Sequence, residues 1–311
     1  VAPGSPAIEV TDLSKRFGAT VAVDRITFDV GTGEIFGFLG PNGAGKTTTV
    51  RMLTGIIRPD AGGARILGYD IVRDPVKAKQ EIGVVPETAN AYLDLTARQN
   101  MLLMAELYGI PRPRAEERTT DLLNKLGLSA RQETRVHGYS KGMRQRLILG
   151  MALLHEPRVL FLDEPTSGLD VQSTHLITGM LQRLNEEDTT IFLTTHNMEE
   201  ANRLCHRIGI IRSGRIAAID TPDGLKQTID RISSIFIGFD RQIEAEALAA
   251  LPEVTGVARA GDRYQVSTQN IDAAFGSIVS FARSRGIRIL SVDTPTPTLD
   301  EVYLSITESE P

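Results

Sequence analysis

The stretch GPNGAGKTTT, Gly40 to Thr49, follows an apolar run and combines glycines, a lysine and hydroxyls at close spacing. Gly40, Gly43 and Gly45 let the backbone wrap tightly, so that successive N–H groups point at one anion. Pro41, Asn42 and Ala44 complete the G-x-x-x-x-G-K-[ST] pattern, and Thr48 continues it into a helix. Chemistry of this type suits a triphosphate: Lys46 supplies a point charge to the β- and γ-phosphates, and the Thr47 hydroxyl can hold Mg2+. A helix beginning there presents its positive dipole end to the same anion.

A second set of reactive groups follows another apolar run, in VLFLDEPTSGLD. Asp163 stands where a carboxylate holds magnesium through water. Glu164, next in the chain, suits a general base that orients and deprotonates an attacking water. An acidic turn capping the strand is the plainer reading of the pair. His196 closes TTIFLTTH, so three strand ends each deliver a polar group, as open parallel sheets do at their ligand-binding edge. His137, His155, His175 and His206 lack that placement and read as surface or packing residues. None is spaced for zinc with Cys205, which reads as inert.

The elements that must position these groups alternate. Short β-branched and aromatic runs, RITFDV and EIFGFL, precede the phosphate loop, and KTTTVRMLTG reads as a helix ended by Gly55. LTARQNMLLMAELYG and ERTTDLLNKLGL have helical periodicity without strand signals, which predicts a helical lobe over about residues 88–150. PRPRAEER, before the second of these, reads as a solvated loop leading into a helix. IGIIRSGRI reads as a hairpin turning at Ser213-Gly214. From residue 229 to 311 the order is β-α-β-β-α-β, a ferredoxin-like pattern of roughly 80 residues. The expected architecture is an α/β P-loop NTPase fold, a mixed sheet with an inserted helical subdomain, over 1–228, plus a small α+β domain. Residues 1–6 read as an unstructured leader.

Composition narrows the class. The chain has 311 residues, 41% hydrophobic and 23% charged, with a net charge of -5. That balance argues against a nucleic-acid binder, which would show a basic stripe. A single cysteine allows no internal disulfide and fits a reducing compartment. The start of the chain has no basic, apolar signal pattern, and no apolar run reaches the ~20 residues that span a bilayer.

The element YSKGMRQRL, Tyr139 to Leu147, settles the class by resemblance. With the motifs above it resembles an ATP-binding-cassette nucleotide-binding domain over about residues 7–228. The family signature, LSGGQ followed by x-Q-R, is matched at Ser140, Gly142, Gln145 and Arg146. Tyr139 stands for leucine, Lys141 for the first of the paired glycines and Met143 for the signature glutamine. The resemblance implies that two cassettes pair head to tail, so that Ser140, Lys141, Gly142 and Met143 cap the ATP held by the partner copy. SGLD, Ser167 to Asp170, resembles the loop lining that interface, and Phe17 aligns with the aromatic that stacks on adenine. The family's usual metal-reaching glutamine is replaced by Glu87 in IGVVPETAN.

The same resemblance implies ATP and Mg2+ as cofactors, a homodimer, and a separate transmembrane permease as partner, with no nucleic acid. The protein would then lie in the cytoplasm, peripheral on the inner face of the cell membrane. Ribosome-acting members carry two cassettes, and chromosome clamps need long heptad stretches; this chain has neither. YSKGMRQRL, PTSGLD and the closing TPTLDEVYLSIT resemble the prokaryotic drug, antibiotic and sodium exporter subgroup.

Overall fold

The computed structural model describes residues 5–88, 91–228, 233–268, 270–294 and 298–308. Most of the expected leader, the end of IGVVPETAN, the expected domain junction at 229 and the start of TPTLDEVYLSIT therefore lie outside the described residues. Contacts divide the chain into two compact units, Val1–Pro222 and Asp223–Pro311, so the division falls earlier than the expected 228/229 junction. The helix Pro222–Thr228 begins at the division, with only Pro222 in the first unit.

The first unit opens with β1 (Ile8–Phe17), β2 (Thr20–Val30), β3 (Ile35–Leu39) and α1 (Lys46–Leu53). Then come β4 (Ala61–Ile66), β5 (Tyr69–Asp70), α2 (Pro75–Gln80) and β6 (Ile82–Val85). The helical lobe is α3 (Ala97–Leu107), α4 (Arg112–Lys125) and α5 (Lys141–Leu153). The core resumes with β7 (Val159–Asp163), α6 (Val171–Glu186), β8 (Thr190–Thr195), α7 (Met198–Leu204), β9 (Arg207–Arg212) and β10 (Arg215–Asp220), and α8 (Pro222–Thr228) follows.

Two sheets carry this unit. One is six-stranded in the order β10-β9-β3-β8-β7-β6; the other is four-stranded in the order β2-β1-β4-β5. In the larger sheet β9, β3, β8, β7 and β6 run parallel and only β10 is antiparallel. Strands β3, β7 and β8 are buried along their whole length, as parallel strands covered on both faces must be. Their aromatics fix the register: Phe36 is paired with Phe192 and Phe161 with Phe192 across neighbouring strands. Ring centroids are 5.7 and 5.5 Å apart, and Phe28 of the smaller sheet stacks on Phe36 at 5.6 Å. Such rings add stability beyond their buried area. They also lock the strands so that their C-terminal ends finish level.

The lobe is helical for local reasons. Thr96 and Gln99 form a reciprocal capping box at the start of α3. Helix α4 starts at Arg112 with a proline in its first turn, where a missing N–H costs nothing. PRPRAEER is therefore mostly helix rather than loop, a correction to the sequence reading; prolines that break a helix interior start one here.

The second unit contains β11 (Ser233–Phe239), α9 (Ala245–Ala249), β12 (Val254–Ala260), β13 (Arg263–Thr268), α10 (Ile271–Ser284), β14 (Ile289–Asp293) and α11 (Leu299–Glu308). Its antiparallel sheet has the order β12-β13-β11-β14, the ferredoxin-like arrangement. Ile235, Ile237, Leu248, Val266, Ala274 and Ile278 form its separate core.

Candidate functional site

The C-terminal ends of β3, β6, β7 and β8 converge on a cavity of about 370 Å3. Pro41, Asn42, Gly43, Gly45, Lys46, Thr47, Thr48, Glu87, Glu164 and His196 line it, together with Ala22 and Ser167. Gly40 and Ala44 are buried in the loop behind them. Gly45 has φ 112°, and a Cβ there would stand 2.5 Å from the Ala22 carbonyl, so no other residue fits.

Lys46 is 6% exposed and donates to the Gly40 carbonyl at 2.7 Å. Its Nζ is 3.5 Å from Glu164 Oε1, and Glu164 Oε2 is 2.7 Å from His196 Nδ1. A cation, a carboxylate and an imidazole thus form one connected line at the cavity wall. Glu164 has φ 51°, a left-handed backbone uncommon for a non-glycine, of the kind that clusters at functional sites. Its N–H donates to Thr194 Oγ1 and to the Thr194 carbonyl, each at 3.1 Å. The Thr194 hydroxyl in turn donates to Asp163 Oδ1 at 2.6 Å. Thr194 holds both acids, and the sequence reading missed it; the threonine pair before His196 was the available signal.

The signature residues lie elsewhere on the chain. None of Ser140, Lys141, Gly142, Met143 and Asp170 lines this cavity. Ser140 caps α5 by accepting the Met143 N–H at 3.2 Å. Asp170 caps α6 by accepting the Ser173 N–H at 2.8 Å, and these bonds hold its carboxyl below the usual range. At Gly142 a Cβ would stand 2.2 Å from Ser173 Oγ, so the glycine lets the starts of α5 and α6 touch. Lys141 donates to the Ser167 carbonyl at 2.6 Å. Phe17 is 51% exposed, with the Lys15 ammonium 5.6 Å from its ring centroid.

The histidines set aside from the sequence are accounted for in part. His155 is stacked on Tyr108 at 3.9 Å, and His206 Nδ1 accepts the Ile35 N–H at 3.0 Å. Cys205 is buried, and burial pushes its thiol well above the ordinary range. An inert thiol is what that environment produces.

These geometries meet the comparisons with known proteins. A family model described as "ABC transporter" matches residues 23–167. The chain is 34% identical over 310 residues to the linearmycin resistance ATP-binding protein of Bacillus subtilis (strain 168), covering 96% of this chain and 98% of that one. The chain belongs to the ABC transporter ATP-binding family. This cassette is also 35% identical over 305 residues to the daunorubicin/doxorubicin resistance ATP-binding protein of Streptomyces peucetius, across 97% and 92% of the two chains. It is 45% identical over 219 residues to the Nod factor export ATP-binding protein I of Paraburkholderia xenovorans (strain LB400), across 70% and 72%. A solved structure titled as the ATP binding subunit of an ABC transporter superposes with TM-score 0.66 at 32% identity, over 71% of this chain and 92% of that one.

The cassette is therefore an ATP-binding subunit of an ABC transporter and an ATPase. Its donor set also fits magnesium. No group of three or more His, Cys, Asp or Glu able to hold a metal occurs among the described residues. Mg2+ needs no such cage, because it is held by one or two carboxylates plus substrate phosphates. No helix among the described residues is long and apolar enough to cross a membrane.

Proposed function

We propose that this cassette is the ATP-hydrolysing motor of an exporter, working as a head-to-tail homodimer on separate transmembrane permease subunits at the inner face of the membrane. The observation that carries this reading is the Lys46–Glu164–His196 line on the wall of the phosphate-loop cavity. Lys46 and the loop N–H groups bind the phosphates. Glu164 takes a proton from the attacking water, and His196 orients Glu164 and faces the γ-phosphate. Thr47, Asp163 and Glu87 would hold Mg2+, which when bound offsets phosphate charge. Phe17 offers its exposed ring to adenine.

Ser140, Lys141, Gly142, Met143 and Asp170 do not line their own chain's cavity, which suits a contact made to the partner copy's ATP. Export is the reading favoured by relatives named for drug resistance and for Nod factor export. The permease contact fits Tyr92 and Leu93, 56% and 45% exposed. Asn100, fully buried, holds their loop by accepting the Tyr92 N–H at 2.8 Å and donating to the Tyr92 carbonyl at 3.0 Å. Ala91 is buried and Leu95 half-buried, so only part of that apolar segment is free to meet a partner helix.

The test is sedimentation of the Glu164→Gln variant with ATP and Mg2+. It should move from monomer to dimer as ATP rises, and an unchanged mass at saturating ATP would overturn the head-to-tail reading.

A further inference from the structure

Helix α7 begins with the pattern Asn197-x-x-Glu200, and Asn197 Oδ1 accepts the Glu200 N–H at 3.0 Å. A glutamate at that position ordinarily turns back to the N–H of the capping residue. Here the Asn197 N–H donates instead to Thr195 Oγ1 at 3.0 Å. The Glu200 carboxylate turns inward and is 5% exposed. Its Oε2 accepts from the Thr195 hydroxyl at 3.0 Å, and its Oε1 accepts from the Thr166 hydroxyl at 2.8 Å.

Those threonines belong to two different segments. Thr195 directly precedes His196. Thr166 lies between Glu164 and Ser167, both of which line the cavity. Burying a carboxylate is costly unless it is well hydrogen-bonded, and an ionised acceptor makes the stronger bonds. An ordinary capping box would have left this charge at the surface. Its inward turn gives α7 a fixed hold on both segments at once.

We propose that Glu200 is a positioning residue for the Glu164–His196 pair. It bridges the end of β8 to the segment after β7, so that the imidazole and the carboxylate keep their 2.7 Å contact. The bridge rests on the reading of Glu164 as the base that acts on water and of His196 as the residue that orients it.

The experiment is steady-state ATP hydrolysis by the purified full chain, with ATP affinity measured alongside. Glu200→Ala should lower kcat roughly 10- to 100-fold, as misplacement of a reacting group does, with a much smaller change in KM. Glu200→Gln should recover much of that loss, because an amide still accepts from one hydroxyl and donates to the other. Combined with His196→Ala, the Glu200→Ala loss should not add, since both act through one contact. A normal kcat in Glu200→Ala, with Glu164→Gln and His196→Ala both impaired, would overturn the bridge, and so would fully additive losses. If Glu164→Gln and His196→Ala themselves turn over normally, the pair is misassigned and the bridge falls with it. Should Glu200→Ala fail to fold, Thr166→Val and Thr195→Val each remove one arm and leave the carboxylate. A fall in kcat in both supports the bridge, and unchanged kcat in both overturns it.

Discussion

The two edges of the six-stranded sheet both open into cavities, and the larger one is not the one equipped for phosphate. At the N-terminal edge a space of about 510 Å3 lies among Arg118, Lys125, Leu153, Met180, Arg183 and Thr190, against about 370 Å3 at the nucleotide edge. Helix direction separates them. Helix α1 starts at Lys46 and turns its N–H groups toward the smaller cavity, whereas the larger one takes the closing turns of α4, α5 and α6. Closing turns expose carbonyls and carry negative partial charge, which repels phosphate. Arg118 is already committed there, donating to the Leu153 and Leu154 carbonyls at 2.9 and 2.8 Å and pairing with Glu156. Backbone polarity, more than room, decides which edge receives an anion.

Four measurements would break or sharpen that contrast. The largest effect is expected at the nucleotide edge: Glu164→Gln should slow ATP turnover by ~10²- to 10⁴-fold, the usual loss of a general base. ATP binding should survive in that variant, and rapid turnover would remove Glu164 from the chemistry. Phe17→Ala should weaken ATP binding by about 1–3 kcal/mol, the loss seen when an aromatic under a base is removed. Isothermal titration with ATP and with tripolyphosphate checks this, since only ATP affinity should fall.

The N-terminal edge should respond in stability alone. Arg118→Ala leaves carbonyls at the end of α5 without their donor and should lower unfolding free energy by about 1–3 kcal/mol in urea titrations. Its ATP turnover at 25 °C should match the parent chain; a slowed kcat would show that the two edges are coupled. The smallest expected effect is a pH dependence at His155. Its Nε2 lies 2.9 Å from the Ile82 carbonyl, and burial holds its pKa below the ordinary 6.5. A histidine depressed in the folded state stays neutral there while its unfolded counterpart takes up a proton. Stability from this site is therefore complete above pH 6.5 and declines as pH falls below it toward the folded value. Denaturant midpoints measured from pH 7.5 downward should fall less steeply in His155→Phe than in the parent chain.

Much of the nucleotide edge was legible before folding, because each motif is local. The phosphate loop needs a strand, a tight glycine turn and a helix start, and Gly40 to Thr49 contains the whole unit. The hairpin at Ser213-Gly214 and the ferredoxin-like order expected from residue 229 were legible for the same reason, since turn residues and apolar alternation operate over a few residues. PRPRAEER misled because proline signals both loops and first helical turns, and only the packed start of α4 separates them. The inward turn of Glu200 was hidden behind a pattern that ordinarily predicts a surface cap.

By itself the sequence determined the groups available to phosphate and water: Asp163, Glu164 and His196 where apolar runs end, and Lys46 and Thr47 where a helix starts after a glycine turn. Local spacing suffices for that, since a strand end or a helix start is specified by its own neighbours. The tertiary structure decided which of them touch. Glu164 and His196 lie 2.7 Å apart because β7 and β8 pair in parallel register, with Asp163 beside Thr194. It also decided that Ser140 to Met143 do not line their own chain's cavity, and that Gly142 lets α5 close against α6 at Ser173. Contacts between residues far apart in sequence arise only when strands pair and helices pack, and no short stretch of chain contains both partners.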